Sequence, residues 1–113
     1  MGIFTKVASA VFLLTAGVFA EGNEILKQKV DVLIVGSGAG GLTSAIYLAR
    51  GGIQPYVLEG EVPGGAITQS GGVQNWPGEF SISGLDLIDK IRDQAKKNGV
   101  TLSAEEVVSV DLS

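Results

Sequence analysis

The sequence predicts an α/β fold that opens with a βαβ unit, the start of a parallel sheet. Three observations carry this. A β-branched apolar run, Val30-Asp31-Val32-Leu33-Ile34-Val35, stops abruptly at glycine. The glycines that follow, in Gly36-Ser37-Gly38-Ala39-Gly40-Gly41, have the spacing G-x-G-x-x-G. Directly after them the apolar residues take a helical period, with Leu42, Ala45, Ile46 and Ala49 at i, i+3, i+4 and i+7.

Each element has its own justification. Val32 to Val35 show no alternation, which suits a parallel strand buried on both faces. In the turn, Gly36 permits the sharp strand-to-helix reversal. Gly38 admits a pyrophosphate where a Cβ would collide, and Gly41 lets helix and strand approach. The helix from Leu42 to Arg50 then directs its unpaired N–H groups and positive dipole end at the phosphates. Gly51-Gly52 ends it.

A second strand is expected at Pro55-Tyr56-Val57-Leu58-Glu59. Glu59 lies 18 residues after Gly41, close to the ~20 expected of the acid that binds ribose hydroxyls. Gly60-Glu61 follow it where a 2′-phosphate would need an arginine, so a free ribose fits and a 2′-phosphate does not. Strand, turn, helix and acid in register predict a Rossmann-like dinucleotide-binding unit.

Beyond it, Pro63-Gly64-Gly65-Ala66-Ile67-Thr68 opens a long loop that continues through Gly71-Gly72-Val73-Gln74-Asn75-Trp76-Pro77-Gly78. Adjacent glycines there mean close approach to a ligand or an unusual turn. A loop of this length favours binding over passive connection. Asn75 offers a donor and an acceptor, while Trp76 serves equally well as a core anchor.

Ser83-Gly84-Leu85-Asp86 resembles a capping box and starts a helix that Asn98-Gly99 stops. Leu85, Ile88, Ile91 and Ala95 form its expected apolar stripe, and Asp86–Lys90 and Asp93–Lys97 its i, i+4 ion pairs. Val100-Thr101-Leu102 and Glu106 to Val110 read as short strands.

Composition removes several functions. The net charge is −4 and no Lys/Arg cluster forms a nucleic-acid footprint. With no Cys and no His, the chain has no thiol nucleophile, redox dithiol, zinc thiolate site or imidazole base. No residue is assigned as catalytic and none as a metal ligand.

Residues 1–20 differ from the rest. A short n-region ending at Lys6 precedes the apolar run Val7 to Ala20, and polar Glu21-Gly22-Asn23-Glu24 follows. The pattern predicts a secretory signal peptide cut after Ala20, and hence a secreted or periplasmic protein. An uncleaved membrane anchor over residues 7–20 and a buried helix are the alternatives; the run is short for a span. Residues 21–29 read as a linker, and residues 30–113 as the domain.

From Val30 onward the chain resembles thioredoxin reductase and its relatives among the pyridine nucleotide–disulfide oxidoreductases. The resemblance rests on residues 32–47, on Pro-Gly-Gly-Ala-Ile-Thr (63–68), on Val-Gln-Asn-Trp-Pro-Gly (73–78) and on residues 82–95. Gly-Gly-x-x-Thr followed by Asn-Trp-Pro-Gly at this spacing is its most specific part. It implies FAD as ligand, with Gly36, Ser37, Gly38 and Ala39 along the pyrophosphate and Glu59 on the adenosine ribose. Gly64, Gly65 and Asn75 would lie toward the flavin. Ala66 stands where the family commonly has Gln.

In that family the NADPH domain and its Cys-x-x-Cys dithiol come later in the chain. The expectation is therefore the N-terminal part of an FAD-binding domain. NADPH and a thioredoxin-like acceptor would be partners only where the later segments accompany it. The alternative is a stand-alone exported dinucleotide-binding module, or an inactive fragment.

Overall fold

A computed structural model describes residues 12–16 and 26–112. Strands β1 (Phe12–Ala16) and β2 (Leu26–Val30) pair antiparallel, with Phe12 opposite Val30. Most of residues 1–20, read as a signal peptide, lies outside the described residues, and β1 is the part within them. β2 occupies the end of the segment read as a linker. Val30 thus belongs to this ladder. Asp31 is a bend, and the strand expected at Val30–Val35 is β3, Val32–Val35.

β3, β4 (Pro55–Leu58) and β5 (Thr101–Ser103) form a parallel sheet in the order β3-β4-β5. Sequential strands are neighbours, the arrangement of one half of a doubly wound α/β domain. Helix α1 (Ala39–Arg50) connects β3 to β4. Between β4 and β5 run a 3₁₀ turn at Ala66–Gln69 and helix α2 (Gly84–Lys97).

The register places Ile34, Val57 and Leu102 in one row across the sheet. This row meets Leu42, Ala45 and Ile46 of α1 and Leu87, Ile88, Ile91 and Ala95 of α2, the centre of the core. Alternation turns Leu33, Val35 and Tyr56 to the opposite face. Val35 is 61% exposed, so β3 is not buried on both faces as its composition suggests. It is an edge strand among the described residues, and the core lies on one side of it.

Local signals set α2 well. The Ser83 hydroxyl accepts from the Asp86 amide at 3.0 Å, Asn98 is the C-cap, and Lys97 pairs with Asp93 at 3.4 Å. Two details differ from expectation. Leu87 is buried and Leu85 is 55% exposed, because α2 turns its 87–88–91–95 face to the sheet and α1. Lys90 pairs with Glu79 of the preceding loop rather than with Asp86.

The long loop is tied down by an antiparallel bridge between Val73 and Ile82, and Trp76 packs against the core. The strand expected at Glu106–Val110 does not form; Val108 and Val110 are exposed. β-branched composition makes a strand only where a neighbouring strand is present to pair with it.

Candidate functional site

The carboxyl ends of the parallel strands meet at one place, where open α/β sheets bind ligands. The Gly36 amide donates to the Leu58 carbonyl at 2.8 Å, and the Glu59 amide to the Ser103 carbonyl at 2.7 Å. These bonds carry the ladder one step past the strands and set Gly36 beside the start of the Glu59 segment.

Gly36 has φ +102°, a conformation side-chain-bearing residues seldom adopt. At Gly41, an added Cβ would stand 2.2 Å from the Gly36 carbonyl oxygen and 3.4 Å from Ile34 Cγ2. Helix and strand therefore touch there with no room for a methyl. Gly38 differs: its Cβ would meet nothing closer than the Gly64 carbonyl oxygen at 3.9 Å. The chain's own packing does not demand glycine at 38. Gly38 also N-caps α1, with no side-chain cap and no acidic residue in the first turn. The amides and positive dipole end at this terminus are thus open to an external anion.

Ser37 is buried, and its hydroxyl accepts a 2.8 Å bond from the Gly64 amide, 27 residues away. It clips the first glycine turn to the second. Gly64 has φ +91°, and a Cβ there would come within 2.7 Å of Ile88 and Thr68 methyls. A Cβ on Gly65 would meet Gly38 Cα at 3.3 Å. Both glycines are required by the turn and its packing. Replacing Ser37 by alanine leaves a buried donor unpaired, so Ser37→Ala is expected to cost about 1–3 kcal/mol. Urea unfolding would check it through a lower midpoint at unchanged slope.

Glu59 carries the main electrostatic feature. Its side chain is 6% exposed and pairs through Oε2 with Arg92 Nη2 of α2 at 3.1 Å. Its other oxygen, Oε1, is buried and has no hydrogen-bond partner among the described residues. Gly60-Glu61 adjoin Glu59 in the sequence, and the fold brings an arginine from 33 residues away. A signal existed. Ile88, Ile91, Arg92 and Ala95 fall at i, i+3, i+4 and i+7, so Arg92 occupies a position on the buried stripe. A charge there needs a partner.

The structure thus gathers Gly36, Ser37, Gly38, Ala39, Gly41, Glu59, Gly64 and Gly65 around the strand ends. Ala39 is the first residue of α1 and packs on the core. Asn75 is exposed on the following loop and makes none of these contacts.

A family model described as an FAD binding domain matches residues 31–110. The chain is 47% identical to thioredoxin reductase of Streptomyces clavuligerus over 85 residues, which covers 74% of this chain and 26% of that protein. It is 40% identical to NADPH-dependent thioredoxin reductase 3 of Arabidopsis thaliana over 99 residues, 83% of this chain and 18% of that one. Among solved structures, a thioredoxin reductase from Gloeobacter violaceus superposes with a TM-score of 0.69 at 35% identity, over 73% of this chain and 26% of that one. The chain therefore spans about a quarter or less of the length of these relatives.

Proposed function

Because this chain belongs to the FAD binding domain family, we propose that it supplies the N-terminal FAD-binding part of a thioredoxin reductase-like flavoprotein oxidoreductase. The observation that carries the reading is Glu59. A carboxylate oxygen that is buried and unpartnered among the described residues costs free energy unless a donor reaches it. A ribose hydroxyl is such a donor, and Glu59 stands at the strand end beside an uncapped helix N-terminus suited to a pyrophosphate.

In this reading Gly36, Ser37, Gly38, Ala39 and Gly41 form the pyrophosphate turn, and backbone amides at the start of α1 provide its donors. Glu59 accepts from the adenosine ribose. Gly64 and Gly65 brace the turn from the second loop, with Asn75 toward the flavin. When bound, FAD supplies hydride and electron transfer; the chain supplies binding and electrostatics. NADPH and a thioredoxin-like disulfide acceptor would engage the portion of the reductase length that this chain does not span.

Titrating the full chain with FAD while following flavin fluorescence tests this. Saturable quenching is the expected result, and its absence would sink the reading. Glu59→Gln is expected to weaken FAD binding about 10- to 100-fold, the loss of one hydrogen bond to a charged acceptor. An unchanged affinity would remove Glu59 from the site.

A further inference from the structure

The pair between Glu59 and Arg92 is built asymmetrically. One carboxylate oxygen is held by the guanidinium at 3.1 Å, while the other is buried and has no partner among the described residues. A fork-to-fork arrangement would satisfy both oxygens. Here Arg92 uses Nη2 alone and leaves Oε1 as the acceptor not spoken for. The Arg92 side chain is 25% exposed, and it reaches from α2 to the carboxyl end of the sheet.

Resting on the FAD reading above, we propose that Arg92 is a positioning residue for the adenosine ribose. It fixes the Glu59 carboxylate so that Oε1 is presented to a ribose hydroxyl. A binding group aligned by a second, charge-assisted hydrogen bond is held to one geometry. Without that bond, Glu59 turns to find another donor, and selectivity for a hydroxylated ribose is lost. Arg92 acts through Glu59 and touches no reacting atom.

The test compares two probes, FAD and its analogue lacking the 2′-hydroxyl on the adenosine ribose. Their affinities are measured for the full unaltered chain and for Arg92→Gln, Arg92→Met and Arg92→Lys, with folding followed by circular dichroism. The unaltered chain should prefer FAD over the deoxy analogue by about tenfold or more, one hydrogen bond to a charged group. In folded Gln and Met variants the two affinities should converge, mainly through weaker FAD binding, with Lys retaining part of the preference. A folded Gln or Met variant that keeps the full preference would overturn the proposal. So would failure of all three to fold, which would make the pair a requirement of the fold itself. An unaltered chain that binds neither probe would instead overturn the FAD reading, and this inference with it.

Discussion

Gly84→Ala is expected to disrupt the chain more than any other single methyl addition. A Cβ on Gly84 would lie 1.7 Å from the carbonyl oxygen of Ile67 and 2.7 Å from its carbonyl carbon. Those atoms are backbone, so no rotamer change relieves the overlap. The Gly84 amide also donates to the Ser70 carbonyl at 2.9 Å, so pushing α2 away breaks a hydrogen bond as well. Leu87, Ile88 and Ile91 leave the core with it, since they are the buried face of α2. The cost should reach at least about 3 kcal/mol. That is a large share of the roughly 5–15 kcal/mol by which domains are stable. The melting temperature should fall by roughly 12–24 °C, read by circular dichroism. The adjoining Leu85→Ala, at a side chain 55% exposed, should shift stability by no more than about 0.5 kcal/mol. Equal effects from both changes would contradict the docking of α2 described above.

Gly41→Ala should be next in size and should also abolish FAD binding. The added methyl would overlap the Gly36 carbonyl oxygen at 2.2 Å, inside the turn proposed to hold the pyrophosphate. Either the helix backs away from β3 or the turn opens, and both displace the amides at the start of α1. We expect about 3 kcal/mol of lost stability and no measurable flavin quenching. The neighbouring Gly40→Ala gives the opposite sign. Gly40 is exposed, helical and has nothing within 4 Å of an added Cβ, so alanine should stabilise α1 by up to about 1 kcal/mol. Urea midpoints of the two variants would move in opposite directions.

The parts of this molecule legible in its sequence are those whose causes are local. The strand, the turn from Gly36 and α1 follow one another without interruption, and each residue type answers to a neighbour a few positions away. The ends of α2 were readable for the same reason, since Ser83 and Asn98 act within one turn. What escaped depends on partners far along the chain. The bond from the Gly64 amide to Ser37 spans 27 residues and the Arg92–Glu59 pair spans 33. No periodicity links either pair of partners, although Arg92's place on the buried stripe of α2 marks it as a charge in need of one. On α2 the sequence pattern points to Leu85 and the fold buries Leu87, because which leucine is covered depends on what the helix meets. Glu106–Val110 has strand composition but no ladder. Val35 looks like an interior residue and lies on an edge strand among the described residues. In each case residue preference was overruled by topology.

The central place of β4 has a consequence for the order of events when the chain is made. Its partner β3 precedes it, but its other partner, β5, and the Ser103 carbonyl that receives the Glu59 amide come more than forty positions later. As the chain leaves the ribosome, the buried Ser37 hydroxyl has its hydrogen-bond donor only when residue 64 arrives. Glu59 then has no guanidinium until α2 follows. The acid and the turn emerge early and wait for late partners, a long closure that slows ordering relative to the helices. The glycine turn and the acid thus come together late, when β5 docks.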